Sequence, residues 1–272
     1  MKVGIIGVGV VGGTLQRWFA AHTKHEVVLF DPPQNLFGDL RHCEHIFVSV
    51  PVPANEIGQD LSILTGAIAM AKDVTDNVYI RSTVLPGTNN HFGTHAMPEF
   101  LTERRCDADF RDLPIVVGGV DREMAFDELF PGKQIIKVSN LEAELAKFTH
   151  NCFGAMKVTY FNIINEFATG VGADYQKVLR AANITGFLGE QHMQVPGPDG
   201  KYGYGGKCFP ENIAAFENLL KHTRFNMQLP ALFIHAIKLL NDQYRTRGER
   251  EHGRPTDRDS RNETERSNVT VL

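Results

Sequence analysis

The chain is poor in cysteine, holds a single tryptophan, contains no apolar run long enough to cross a bilayer, and leans strongly toward neither charge. Its four cysteines in 272 residues (Cys43, Cys106, Cys152 and Cys208) lie far apart, without a C-x-x-C pair. That spacing argues against a disulfide scaffold, and it suits a reducing, cytoplasmic setting. A formal net charge of -4 and a pI near 6.3 argue against nucleic acid as the main partner. The missing apolar run argues against a membrane span. The N-terminal Lys2 and the apolar residues after it are better explained by a glycine motif than by a secretion signal. His42/His45 and His91/His95 lack the H-E-x-x-H context, so no metal site is expected.

What is present starts at the N-terminus. The apolar run Val3 to Ile6 leads into Gly7-Val8-Gly9-Val10-Val11-Gly12, followed by helical periodicity at Val11, Leu15, Trp18 and Phe19. A second apolar run, Val27 to Phe30, ends in Asp31. Strand, G-x-G-x-x-G, helix, strand and acid make the dinucleotide-binding fingerprint. Gly7 permits the turn, Gly9 lets the pyrophosphate approach, Gly12 allows helix and strand to pack, and the helix N-terminus at Val10 and Val11 holds the negative charge. Asp31 accepts from both ribose hydroxyls and repels a 2′-phosphate, and no Arg follows it. NAD is therefore expected over NADP, and FAD finds no other support.

Up to about residue 138, short β-rich runs alternate with helical or loop segments: Val3–Ile6, Val27–Phe30, His45–Val50, Val78–Arg81, Thr94–Met97, Ile115–Val117 and Gln134–Lys137. The pattern predicts an α/β domain, a Rossmann-like doubly wound parallel sheet over residues 1–139, with its ligand at the carboxyl ends of the strands. Val50-Pro51 and Ser82-Thr83 follow strands and fall on that edge. Residues 140–247 read as an all-helical domain. The long helix of that domain carries apolar residues at Leu145, Phe148, Cys152, Met156, Tyr160, Ile163, Ile164 and Phe167, and a last helix runs from Leu229 to about Arg245. Residues 248–272 are polar and charged until the final four, and are expected to be disordered.

The most informative segment is Gly203-Tyr204-Gly205-Gly206-Lys207-Cys208-Phe209-Pro210-Glu211-Asn212. Its glycines allow close backbone approach to a ligand, and Pro210 suits the first turn of a helix. The helix N-terminus and Lys207 favour a thiolate at Cys208. Taken alone, such a cysteine fits either an inert structural thiol or a covalent nucleophile.

Together these motifs resemble the nucleotide-sugar dehydrogenases, the UDP-glucose 6-dehydrogenase and GDP-mannose 6-dehydrogenase family. The resemblance spans residues 1 to about 245. It rests on the fingerprint, Val50-Pro51-Val52-Pro53, Ser82-Thr83, Pro98-Glu99-Phe100-Leu101-Thr102-Glu103, Lys147 with Asn151, the Cys208 segment and the helix that contains Asn241. It implies a four-electron oxidation of the sugar C6 alcohol to a carboxylate by two NAD in turn, through a Cys208 thiohemiacetal and thioester. Lys147 and Asn151, spaced i, i+4, would donate to the developing oxyanion. Glu103 would stand near the chemistry and the cofactor, Thr83 would order water or touch the nicotinamide, and Asn212 would hold a water. Glu99, Phe100, Leu101, Tyr202, Tyr204 and Gly205 would line the substrate. The substrate would be a nucleotide sugar, with UDP-glucose the first candidate, and the central helices would form a homodimer.

Two departures qualify this. The family's Lys-Asp after the proline is Glu211-Asn212 here, and an amide cannot accept a proton near neutral pH. A slower hydrolysis, or a base at Glu103 or Lys147, is expected. No counterpart of the family's third, Rossmann-like domain is expected after the last helix, and no Arg lies between Arg180 and Arg224 to hold the sugar nucleotide. Recognition of the base is thus expected to be reduced, supplied by a second chain, or taken over by the loop from Gln191 to Tyr204. A weakly catalytic binding subunit and a two-electron hydroxyacid-type dehydrogenase are the competing readings. The Cys208 loop separates the second of these, whose chemistry needs no thiol.

Overall fold

The computed structural model describes residues 1–55, 58–120 and 126–252. Strands β1 (Lys2–Ile6), β2 (Glu26–Asp31), β3 (Leu36–Phe37), β4 (His45–Val48), β7 (Val78–Ile80) and β8 (His95–Ala96) form one sheet in the order β3-β2-β1-β4-β7-β8. All neighbours pair in parallel except β3, which runs antiparallel to β2 at the edge. Between them, β5 (Ala54–Asn55) and β6 (Gly58–Gln59) make a small hairpin.

Both faces of the sheet are covered, so its strands are apolar throughout. Val3, Ile5, Phe47 and Tyr79 point to one face, where Leu15, Trp18 and Phe19 of α1 (Val10–His22) pack. Ile46, Val48, Val78 and Ile80 point to the other, against Leu64, Ile68 and Ala71 of α2 (Ser62–Lys72). This is the doubly wound arrangement expected from the sequence.

The sheet is shorter than the strand list implied. After α3 (Thr88–Phe92) and α4 (Cys106–Asp112), β9 (Ile115–Gly118) and β10 (Ile135–Val138) flank α5 (Phe126–Leu129) and pair only with each other in a separate parallel ribbon. The reason lies in one side chain. Asn140, buried at the start of α6 (Asn140–Gly170), accepts from Ala96 N at 2.8 Å and donates to Thr94 O at 2.9 Å and Asn90 Oδ1 at 3.0 Å. The outer edge of β8 is thus occupied by an amide where a neighbouring strand would otherwise pair.

The helical half comprises α6, α7 (Tyr175–Ala182), α8 (Cys208–His222) and α9 (Gln228–His252). A capping box fixes the start of α6: Ser139 Oγ accepts from Glu142 N, and Glu142 Oε2 accepts from Ser139 N. The helix α9 continues past Arg245 into the stretch expected to be disordered, and residues 253–272 lie outside the described residues.

Asn140→Ala would strand the Ala96 N–H and the Thr94 carbonyl. We expect a loss of about 2–4 kcal/mol in urea unfolding, since each buried orphan costs about 1–3 kcal/mol. A loss below about 1 kcal/mol would mean that water replaces the amide.

Candidate active site

The strand order reverses between β1 and β4, which opens a crevice at their carboxyl ends. Gly7 leaves β1 with φ +84°, and a Cβ there would lie 2.4 Å from Ser49 O, in the segment that leaves β4. A Cβ on Gly12 would sit 1.9 Å from Gly7 O. Gly9, by contrast, faces open space on the crevice side and caps α1 without a side-chain bond, leaving the first N–H groups of the helix available. Asp31 ends β2 buried, its Oδ2 accepting from Val8 N at 2.7 Å and Gln34 Nε2 at 2.8 Å. These residues fit a dinucleotide: backbone room for a pyrophosphate, a helix N-terminus behind it and an acid at the end of the neighbouring strand β2.

Two cavities meet at the far end of the crevice. The smaller, about 160 Å³, is bounded by Val11, Ser49 to Val52, Arg81 to Thr83, Glu99, Cys208, Glu211 and Asn212. Ser82 Oγ ties its two loops together by donating to Val50 O at 2.6 Å. The larger, about 680 Å³, takes in Phe100 to Glu103, Lys147, His150, Asn151, Gln191, His192 and Gly205 to Phe209. Cys208 and its helix start form the wall that both share.

Cys208 is the first residue of α8 and is held there by its neighbour. Phe209 lies against Gly154 of α6, where a Cβ would come within 2.6 Å of the ring, and it meets His192 and Tyr204 edge-on. Lys147 and Glu99 form a buried ion pair at 3.1 Å; Phe100 lies 5.3 Å from the ammonium, and Glu99 Oε2 accepts from Leu101 N at 2.6 Å. Asn151 Nδ2 donates to Asn212 Oδ1 at 2.5 Å, and both side chains are buried. A cation, an amide and a thiol thus converge on one rim.

Several expectations change at this point. Cys208 was expected to favour the thiolate, yet its thiol is held above its ordinary value. The residue as a whole is exposed, but desolvation around the sulfur dominates; Glu99, Glu211 and Glu103 add to it, and Lys147 opposes it. Tyr202 and Tyr204 do not reach the cavities: Tyr204 is buried in the helical core, its N–H donating to Asn241 Oδ1 at 2.6 Å, and Tyr202 packs against the Tyr175 and Met193 cluster. Glu103 sits exposed at the mouth of the larger cavity, while Glu99 occupies the interior beside Lys147. Val10 is exposed at the helix start, and Phe100, Leu101 and Gly205 line the larger cavity.

The sequence reading missed Ser49, Arg81 and Glu211. Glu211 lines the smaller cavity; the residue as a whole is exposed, but partial desolvation of its carboxyl raises it above the usual range, against the opposing pull of Lys207. Its place next to Asn212 was the available signal.

The fold class is clear: a Rossmann-like doubly wound sheet followed by helices. Residues 141–243 match the UDP-glucose/GDP-mannose dehydrogenase family, central domain. A UDP-glucose 6-dehydrogenase of Rickettsia bellii is 27% identical over 265 residues, covering 84% of this chain and 59% of the relative. The structure of a UDP-glucose dehydrogenase from Pyrobaculum islandicum superposes with a TM-score of 0.75 at 20% identity, covering 89% of this chain and 68% of that one. A Mycobacterium tuberculosis 3-hydroxyisobutyrate dehydrogenase shares the fold, with a TM-score of 0.63 at 17% identity over 90% of this chain and 95% of that one. Over residues 141–243 the chain is similar to the central domain of the UDP-glucose/GDP-mannose dehydrogenases, and its resemblance to the nucleotide-sugar dehydrogenases extends along most of its length. It spans between half and three fifths of the length of the first curated relatives it matches.

A raised thiol stays protonated at neutral pH, and its thiolate fraction grows about tenfold per pH unit until its pKa is reached. Iodoacetamide should therefore label Cys208 progressively faster from pH 7 through pH 9. It should spare Cys43 and Cys152, which are buried, the latter with its thiol pushed up to about 12. A labelling rate that is flat above pH 7 would show that the thiol is already ionised there.

Proposed function

We propose that this chain is an NAD-dependent nucleotide-sugar 6-dehydrogenase, with UDP-glucose the first candidate substrate, acting in the cytoplasm. The observation that carries the reading is Cys208, in the wall between the cavity next to the dinucleotide fingerprint and a larger cavity edged by Lys147 and Asn151. Gly7, Gly9, Gly12, Val10, Val11, Asp31, Val50, Pro51 and Thr83 would hold NAD, which when bound supplies a hydride acceptor.

The chain's own groups account for the remaining chemistry. Once the C6 alcohol has become an aldehyde, the Cys208 thiolate forms a C–S bond to the carbonyl carbon. Lys147 and Asn151 donate hydrogen bonds to the resulting oxygen. Oxidation of that thiohemiacetal leaves a thioester on Cys208. Water then adds and the C–S bond breaks, returning the thiol and releasing the carboxylate. Asn212 is turned toward Asn151, which leaves the raised carboxylate of Glu211 as the base on the same cavity that can take the water's proton.

Pure protein with NAD and a panel of sugar nucleotides, followed by NADH absorbance, tests the reading. Two NADH per sugar are expected, with NADP much poorer. Cys208→Ser should stop the reaction short of the acid, and Glu211→Gln should slow the steady rate by about 10²-fold or more while leaving the first burst of NADH intact. Full two-NADH turnover by the serine variant would show that the thiol is not the nucleophile, whereas a single NADH per substrate in the unaltered protein would favour the two-electron, thiol-free class of dehydrogenase.

We also propose a homodimer through the central helices. Leu229, Leu232 and Phe233 on α9 and Phe153, Tyr160 and Phe167 on α6 are all more than half exposed. So many large apolar side chains on two helices exceed what a soluble monomer commonly leaves open. Light scattering at micromolar concentration should give twice the chain mass, and a monomer there would end the proposal.

A further inference from the structure

The backbone that leads into Cys208 is gripped by two helices. Gly203 N donates to Asn162 Oδ1 of α6 at 3.1 Å, and Tyr204 N donates to Asn241 Oδ1 of α9 at 2.6 Å; both amides are buried. One turn further along α9, Arg245 Nη1 meets Asp199 Oδ2 at 2.7 Å. Asn241 and Arg245 are spaced i, i+4 and so share one face of α9. Between them, Tyr244 ties α9 to α6 by donating from its Oη to Glu166 Oε2 at 2.9 Å. Neither Asn241 nor Arg245 borders the cavities at Cys208.

The glycines of the segment fit this contact. A Cβ on Gly203 would lie 2.5 Å from Asn241 Oδ1, and one on Gly205 would lie 2.5 Å from Arg245 Nη2. Gly203 and Gly205 thus make room for side chains of α9, where the sequence suggested room for a ligand. The grip continues through aromatic rings. Tyr204 is buried and meets Phe209 edge-on, with the centroids 6.2 Å apart, and Phe209 lies against Gly154 of α6. Tyr204 and Phe209 stand at the two ends of Gly205-Gly206-Lys207-Cys208, so both ends of that short stretch are anchored.

We propose that Asn241 and Arg245 are positioning residues for Cys208: through the backbone of residues 199–205 they keep its thiol in the wall between the two cavities. This rests on the reading that Cys208 is the reacting group. A thiol that drifts from that wall recovers water and leaves Glu99, Glu103 and Glu211, all of which disfavour the thiolate. It also leaves Lys147, which favours the thiolate, while Lys207 moves with it as its neighbour in the chain. Desolvation is the largest of these effects. Loosening the segment therefore lowers the thiol toward its ordinary value and makes it more reactive to a small reagent, and it loses the alignment that turnover needs.

Iodoacetamide labelling of the full chain without nucleotide, read cysteine by cysteine by mass spectrometry, tests this. Cys208 Sγ displaces iodide, and the rate follows the thiolate fraction. Asn241→Ala should label Cys208 about three- to tenfold faster than the wild type at pH 7, with the whole profile moved to lower pH, because the thiolate fraction grows about tenfold for each unit by which the thiol falls. Cys43, in the core of the sheet, should keep its wild-type rate. Asn241→Asp keeps an oxygen to accept from Tyr204 N and should restore the wild-type profile. Arg245→Ala should give a smaller acceleration, and it serves if Asn241→Ala fails to fold, since Arg245 is only partly buried. In turnover with NAD and a sugar nucleotide, kcat should fall by about tenfold to a hundredfold with KM for NAD unchanged. The proposal falls if neither alanine variant alters the Cys208 rate and profile. It falls equally if Cys43 accelerates alongside Cys208, which marks a general loosening of the fold. Acceleration at Cys208 without Cys43, in a protein whose wild type oxidises no sugar nucleotide, would keep the hold of α9 on the thiol and remove the dehydrogenase reading.

Discussion

The architecture depends on a stripe of buried polar side chains along one face of α6. Asn140, Glu144, Lys147 and Asn151 follow one another at intervals of four, three and four residues, so they line up on one side of the helix. Each engages a different part of the molecule. Asn140 takes the edge of β8, and Glu144 accepts from Gly87 N, Asn89 N and Asn89 Nδ2 at the start of α3. Lys147 pairs with Glu99 after β8, and Asn151 donates to Asn212 on α8. A buried polar group is costly unless it is paired, so every pairing fixes the position of the segment that supplies the partner. One helix thereby sets the sheet half and the Cys208 helix against each other. The Lys147–Glu99 pair need not stabilise the fold in net terms, because desolvation offsets much of the attraction. Its effect is to make any other register expensive.

The same stripe sets the electrostatics of the site. Lys147 is engaged by Glu99 and also pulls the Cys208 thiol downward, while the carboxylates and the loss of water push it up. A site dry enough to strengthen a hydrogen bond from Lys147 or Asn151 to an oxyanion is also dry enough to disfavour a resting thiolate. The helix N-terminus at Cys208, which by itself favours the thiolate, does not outweigh that desolvation. In the proposed reaction, ionisation of Cys208 is therefore best coupled to the arrival of substrate.

What could be read from the sequence followed how local the determinant was. The fingerprint, its helix and Asp31 lie within one βαβ unit, so spacing alone located them. The long helix was also legible, but its buried face was not. Leu145, Tyr160, Ile163 and Phe167, counted toward its apolar pattern, are exposed, whereas Asn140, Glu144, Lys147, Asn151 and Asn162 are buried. The pattern predicts burial by hydrophobicity, and here polar groups with partners on distant segments occupy the inside. Tyr204 was misplaced for a related reason: proximity to Cys208 in sequence does not reveal that Asn241 on α9 binds its backbone. Arg81 was invisible, because nothing in Arg-Ser-Thr distinguishes a solvated arginine from a buried one.

The exchange of Asp for Asn after the proline can now be viewed as a division of labour. Asn212 is buried and its carbonyl oxygen accepts from Asn151, a bond that the carboxylate expected from the family pattern could accept equally well. What the amide gives up is the capacity to take a proton, and what it gains is a neutral group among Glu99, Glu103 and Glu211, all of which already raise the Cys208 thiol. A fourth carboxylate at that position would raise it further. One residue earlier, Glu211 presents its carboxylate to the cavity that holds Cys208, with its affinity for a proton increased by burial. In the proposed reaction the hydrogen-bonding role and the proton-accepting role, combined in one aspartate by the family pattern, are carried here by two adjacent side chains. The neutral one keeps α8 bonded to α6, and the charged one faces the water.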